Sequence, residues 1–204
     1  MSHDDPDVCV DGCGPAGAVL GAHLVEHGVR VTVLEAGPRH PFAARRGAQR
    51  ALLAGMDPWE RTPESLDVAS SGGAVPYDLR GLRVRGVGGS TLHWDAETPR
   101  FQAVDFRLRS THGVGVDWPL DYATLEPYYA WAERELGVAG GEDPHASPRS
   151  GPYPLSPLPC NHLDQMAMRV AAPLGLRFTP VPQARNSRPY AARKRHLQSL
   201  LEHP

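Results

Sequence analysis

The first 35 residues change rhythm twice. Asp7-Val8-Cys9-Val10-Asp11 is a short apolar run between acids and reads as a strand. From about Pro15 to His27, apolar positions recur at helical spacing: Ala16, Val19, Leu20, Leu24 and Val25. Pro15 suits a first helical turn, and Gly28 suits the position that closes one. Val29 to Glu35 returns to a strand pattern. The order predicts a β-α-β unit. Further along, Leu125, Tyr128, Tyr129, Ala132 and Leu136 predict a helix closed by Gly137. Thr124 is its expected N-cap, Glu126 and Pro127 fill its first turn, and its aromatic stripe reads as core. A modest helix is expected from about Leu163 to Leu174. Pro38, Pro41, Pro58, Pro63 and Pro76 break up the stretch between residues 38 and 80, with a short helix expected from Arg45 to Ala54. Gly141 to Pro159 is rich in Pro, Ser and Gly and reads as a linker or crossover; the last stretch has no periodicity.

Between the first strand and helix lies Gly12-Cys13-Gly14-Pro15-Ala16-Gly17, a G-x-G-x-x-G match. In such a turn the first glycine makes the bend and the second lets a pyrophosphate approach the backbone. The third lets the helix pack on the strand. The helix N-terminus then offers unpaired N–H groups and a positive dipole end to the phosphates. Glu35 follows Gly17 by 18 residues, close to the spacing of the acid that holds ribose hydroxyls in dinucleotide sites. A second glycine-rich loop, Arg83-Val84-Arg85-Gly86-Val87-Gly88-Gly89-Ser90-Thr91-Leu92-His93-Trp94, could form an anion nest, with Ser90 and Thr91 as hydroxyl donors.

Composition narrows the classes. The formal net charge is −2, which favours neither nucleic acid nor an anionic membrane surface as partner. The locally basic tail from Arg185 to His196 reads as solvated. Gly and Pro number 21 each among 204 residues, above average usage but below the level of disorder. No apolar run is long enough for a membrane span and no signal peptide precedes Asp7, so a cytoplasmic location is expected. Cys9, Cys13 and Cys160 make no zinc pattern and read as small, at least half-buried thiols; Cys13, at a helix N-terminus, could be acidified. No metal site is expected.

Taken together, these motifs resemble the N-terminal part of the glucose–methanol–choline (GMC) flavin oxidoreductases. Within them the chain is most similar to the flavoprotein subunits of gluconate and other sugar or polyol dehydrogenases, and to pyranose oxidase. Four stretches carry the resemblance: Gly12 to Gly17 with Glu35-Ala36-Gly37; Arg85 to Trp94; Pro99-Arg100-Phe101 with Asp105-Phe106; and Asp117-Trp118-Pro119 through Leu136-Gly137. Asn186 to Tyr190 is a weaker fifth. The resemblance implies an α/β fold: a Rossmann-like FAD-binding domain over residues 7–140, with the truncated start of a substrate domain over 141–204. It implies FAD, with Gly12, Gly14, Pro15, Ala16 and Gly17 at the pyrophosphate and Glu35 and Ala36 at the adenosine ribose. Arg85, Gly88, Gly89, Ser90, His93 and Trp94 would line the flavin side. In pyranose oxidase a histidine before tryptophan in this motif carries the flavin covalently. His93 stands at that position, which leaves a covalent link and a simple contact both open. The implied partners are an alcohol or sugar substrate and an electron-acceptor subunit.

Two departures stand out. Asp11 occupies a position that is usually apolar in the family, and a carboxylate there would repel a pyrophosphate. The family's catalytic pair, His with His or Asn, lies near the C-terminus of much longer chains, so no catalytic residue is assigned here. The chain is expected to be the FAD-binding part of an oxidoreductase acting on CH–OH groups. The alternatives are a truncated, non-catalytic FAD-binding fragment and the NAD-binding domain of an ordinary dehydrogenase. The second glycine loop with His93-Trp94 speaks against the last.

Overall fold

The computed structural model describes residues 5–40 and 83–190. The chain divides into two compact units, Met1–Trp94 and Asp95–Pro204. The helix expected from Arg45 to Ala54 lies outside the described residues, as does the tail beyond Tyr190.

Unit 1 contains the β-α-β unit. Strand β1 (Val8–Asp11) and strand β2 (Val31–Leu34) pair in parallel with Val8 opposite Val31 and Asp11 opposite Leu34. Helix α1 (Pro15–Glu26) joins them, with Pro15 in its first turn. His27 caps it, and Gly28 follows at φ +77°, a left-handed conformation that glycine adopts without penalty. The helix packs differently from its apolar pattern. Leu20 and Val25 are 48% and 58% exposed, whereas Gly21 is buried. A Cβ at Gly21 would lie 3.5 Å from Val33 Cγ2, and one at Gly17 would collide with the Gly12 carbonyl oxygen. Two glycines one turn apart therefore bring α1 close to the sheet. Asp11 is exposed at the strand end, where water solvates its carboxylate. Cys9 is exposed as well, which corrects the expectation that all three thiols are at least half-buried.

In unit 2, helix α2 (Leu108–His112) precedes helix α3 (Tyr122–Leu136), and helix α4 (His162–Ala171) continues into a 3-10 turn, Ala172–Leu174. Helix α3 starts one turn earlier than its sequence pattern suggests. Asp121 is the N-cap, accepting from the Thr124 N–H at 2.9 Å and the Thr124 hydroxyl at 2.7 Å, so Pro127 lies inside the helix. Gly137 ends it at φ +68°, where a Cβ would fall 2.8 Å from Asn186 Oδ1. Helix α4 carries a capping box: Asn161 Oδ1 accepts from Asp164 N–H, and the Asp164 carboxylate accepts from Asn161 N–H.

The core of unit 2 gathers Phe106, Val138, Ala139 and Leu155, each at most 2% exposed. Phe106 meets Trp118 edge-on at 5.5 Å between centroids, and Phe101 meets both rings. Single bridges join Ala139 to Leu155 and to Gln183, and Glu97 to Gln183. Residues 141–159 form no helix or strand, yet Ser147 and Leu155 within them are buried. The apolar and aromatic stripe of α3 is half-buried rather than core: Leu125, Tyr129, Ala132 and Leu136 are partly covered and Tyr128 is 66% exposed.

The surprise of unit 2 is charge. Arg100 lies beside α3 with 4% of its side chain exposed. It donates to both carboxylate oxygens of Glu133, at 2.8 and 2.9 Å, to Glu126 at 2.8 Å and to the Tyr122 hydroxyl at 3.0 Å. Arg149 forks onto the same Glu133 carboxylate at 2.9 and 2.6 Å and stacks on the Tyr153 ring. Burial works against the Arg100 charge, but Glu133 and Glu126 outweigh it and hold the guanidinium charged. The same Arg100 contact, helped by the Ser150 N–H, pulls Glu126 down to about 2. Burial pushes Glu133 up, and the two arginines more than reverse it.

Candidate functional site

The glycine loops of unit 1 come together. Gly12 turns out of β1 at φ +88°, with its N–H donated to the Leu34 carbonyl at 2.7 Å. Pro15, Ala16 and Gly17 then form the first turn of α1, whose leading N–H groups have no intrahelical acceptor. The second loop crosses directly over the first. Gly88 N–H donates to the Cys13 carbonyl at 2.8 Å, and a Cβ at Gly89 would lie 3.4 Å from Gly14 Cα. Gly88 and Gly89 both have positive φ, at 106° and 54°.

The turn after β2 binds both loops. Glu35 Oε2 accepts from Cys13 N–H and Oε1 from Gly37 N–H, each at 2.8 Å. These N–H groups, Cys13 first, hold the Glu35 carboxyl below the usual carboxylate range. The Ala36 carbonyl accepts from the Arg85 guanidinium at 3.3 Å, and the Pro38 carbonyl accepts from Val87 N–H at 3.1 Å. A Cβ at Gly37 would collide with the backbone at Arg85 and Gly86. This close approach of Gly37 to Gly86 escapes sequence reasoning, although the glycine in Glu35-Ala36-Gly37 is its one visible signal.

The end of the second loop forms a 3-10 turn, Gly89–Leu92. Ser90 is exposed at the surface, and its hydroxyl accepts from Val84 N–H at 3.4 Å. The Thr91 hydroxyl donates to the Gly88 carbonyl and so braces the loop. Leu92 packs on buried Val84. Trp94 is 39% exposed. His93 Nε2 is buried and has no hydrogen-bond partner in the protein, an arrangement that calls for a ligand, a water or a bond to complete it.

Each glycine of the first motif can be asked why it is glycine. Gly12 needs a positive φ and Gly17 needs room for Gly12. Gly14 needs neither: its φ is −72°, and a Cβ there would meet no atom of the described residues within 4 Å. As the N-cap of α1 it stands where glycine is tolerated, and the open space over it leaves room for a ligand to approach the backbone. Gly14 and the buried His93 Nε2 therefore both fit a dinucleotide cofactor lying along the paired loops. Unit 2 has cavities of about 810 and 460 Å³, and neither is lined by the glycine loops. Among the described residues, no three His, Cys, Asp or Glu side chains gather as a metal site, and no helix is long and apolar enough to cross a membrane.

Known proteins are similar to this chain in sequence. The chain is 35% identical over 92% of its length to the fructose dehydrogenase large subunit of Gluconobacter japonicus, covering 38% of that protein. It is 34% identical over 95% of its length to 2-methyl-1,2-propanediol dehydrogenase of Mycolicibacterium austroafricanum, covering 36% of it. The gluconate 2-dehydrogenase flavoprotein of Pantoea cypripedii matches at 27% over 90% of the chain and 36% of its own length. By sequence, the chain is a homologue of these dehydrogenases. That bears out the resemblance carried by its motifs. No protein-family model matches the chain. The chain spans little more than a third of the length of these relatives.

Proposed function

We propose that unit 1 is the dinucleotide-binding part of an FAD-dependent oxidoreductase that oxidises CH–OH groups of sugars, sugar acids or polyols. The observation that carries this reading is the open space over Gly14 at the start of α1, where a Cβ would meet no described residue and a pyrophosphate can approach the backbone. The relatives' names supply the chemistry: dehydrogenases of fructose and of a propanediol, and a gluconate dehydrogenase flavoprotein.

The roles follow from position. The N–H groups at the start of α1 would hold the pyrophosphate, since helix N-termini stabilise anions. Glu35, with Ala36 beside it, would face the adenosine ribose. Arg85, Gly88, Gly89, Ser90, His93 and Trp94 would form the flavin side. Bound flavin supplies the hydride acceptor, while the protein orients it and excludes water. His93 Nε2 would complete its bonding on the flavin, by a covalent link or by contact. No proton-transfer residue is assigned to this chain. The fructose dehydrogenase relative is a large subunit, which supports a partner subunit here; an electron acceptor would be that partner's role.

The test is an absorbance spectrum of the purified chain supplied with FAD, taken before and after acid precipitation. Flavin bands are expected with the folded chain. Bands that stay with the precipitate assign a covalent link, with His93→Ala abolishing it; bands released to the supernatant assign contact only. Absence of bands at saturating FAD overturns the reading.

A further inference from the structure

The ribose role expected of Glu35 leaves its two shortest contacts unexplained. Both carboxylate oxygens already accept a backbone N–H at 2.8 Å, from Cys13 on one side and Gly37 on the other. Cys13 lies in the first glycine loop, and its carbonyl receives the Gly88 N–H of the second. Gly37 lies in the turn whose neighbours receive Arg85 and Val87 and whose Cα face abuts the Gly86 backbone. The carboxylate thus ties the first loop to the turn after β2, 22 residues on, and the Ala36 carbonyl of that same turn receives Arg85 of the second loop, 49 residues farther.

We propose that Glu35 is a positioning residue, which sets the two glycine loops in their relative register through Cys13 N–H and Gly37 N–H before any nucleotide arrives. Each carboxylate oxygen has two acceptor sites. Cys13 N–H and Gly37 N–H each take one at 2.8 Å, and the Gly86 and Ala36 N–H groups also act on the carboxylate. The backbone bonds thereby fix the direction in which the carboxylate faces. This preorganises the N–H groups that meet phosphate, and preorganised sites lose less on binding.

The role reverses an electrostatic expectation. A carboxylate near a diphosphate repels it, so removing Glu35 should by charge alone tighten phosphate binding. If Glu35 sets the loops, removing it weakens phosphate binding even when the ligand has no ribose hydroxyls to lose. The nucleotide part of this inference rests on the FAD reading; the loop part does not.

The experiment has two arms on the full chain. In the first, amide hydrogen exchange is followed without any nucleotide. Glu35→Ala is expected to speed exchange at Cys13 and Gly37 at least tenfold while the amides of α3 stay unchanged. Should that variant fail to fold, the isosteric Glu35→Gln, which keeps one acceptor oxygen, is expected to release at least one of the two. Unchanged exchange at both positions overturns the proposal. In the second arm, 2′,3′-dideoxy-ADP is bound to the wild type and the same variants. An affinity lower by at least threefold in the variant supports positioning, whereas equal or tighter binding assigns Glu35 to the ribose alone and overturns it. If the wild type binds neither FAD nor dideoxy-ADP, the nucleotide reading fails, and the exchange arm still decides the role of Glu35 in the loops.

Discussion

Replacing Glu133 by Gln should be among the most damaging single changes in unit 2, although it conserves size and shape. Four charged groups meet around Arg100: two arginines, Arg100 and Arg149, and two glutamates, Glu126 and Glu133, with no net charge. Their side chains are only 4 to 16% exposed. Glutamine leaves the cluster at +1 and turns an amide NH₂ toward guanidinium N–H groups that need an acceptor. At partly shielded contact a unit charge pair is worth about 4 kcal/mol before desolvation is counted. Breaking a buried pair by removing one partner typically costs about 3–5 kcal/mol, and that is the loss expected here. Urea unfolding followed by tryptophan fluorescence reads it as a lower midpoint at unchanged slope. Arg100→Met should cost a similar amount, since it strands Glu133 with Arg149 alone and Glu126 with Ser150. The double variant retains Glu126 and Arg149, again without net charge, and should cost less than the sum of the two by at least about 1.5 kcal/mol. A Glu133→Gln loss under about 1 kcal/mol, the range of exposed pairs, or strict additivity in the cycle, would falsify the buried-cluster account.

Other outcomes follow from the same contacts. Glu126 and Glu133 are both held below their ordinary values, Glu126 at about 2, so their contribution is complete above about pH 5. It should fade as pH falls from the unfolded value near 4.5 toward 2; an acid titration of stability flat across that window would contradict the network. Phe106→Ala, at a 1% exposed core position, should cost about 3–5 kcal/mol in the same urea assay. Asn161→Ala removes one half of the α4 capping box and should cost about 1 kcal/mol, with Asn161→Asp nearly neutral. Gly17→Ala and Gly37→Ala should each abolish retention of flavin on gel filtration, because the added methyl collides with the Gly12 carbonyl or the Gly86 backbone. Retention of flavin by either variant would show that the loops can shift without losing the site.

The β-α-β unit was legible because its signals are local. A strand, a glycine turn, a proline-started helix and a closing glycine each declare themselves within a few residues. The two-glycine line of α1 was harder, because bulky Leu20 and Val25 dominate an apolar count while Gly17 and Gly21 do the packing. For helix α3 the sequence pattern stops one turn short of the start for an opposite reason. Pro127 favours a first-turn position, which drew the expected start to Thr124, whereas Asp121 captures the Thr124 N–H and tolerates a proline farther in. The charged cluster was out of reach of any periodicity, since Arg100 and Glu133 are 33 residues apart. Its faint trace is Glu126 and Glu133 seven residues apart on one helical face, with an arginine placed between Pro99 and Phe101. At the candidate site the residue types were legible and their mutual contacts were not. The closure of the second loop on the first depends on backbone groups that every sequence possesses.

Those backbone groups also explain how the described part of unit 1 holds a defined loop geometry with few of its own apolar side chains buried. Two paired strands are marginal on their own, and Val33 and Leu34 of β2 are 39% and 56% exposed. Buried apolar side chains among the described residues of this unit are confined to Val10 and Val84. What fixes the loops is instead a set of directed bonds: Gly12 to Leu34, Gly88 to Cys13, Val87 to Pro38, and the two N–H groups on Glu35. Apolar burial is non-directional and sets no register, whereas each of these bonds specifies which atom faces which. Trimming an exposed apolar residue such as Leu20 should therefore leave the nucleotide loops in place. A single methyl at Gly17 or Gly37 moves the carbonyls and N–H groups on which their alignment rests.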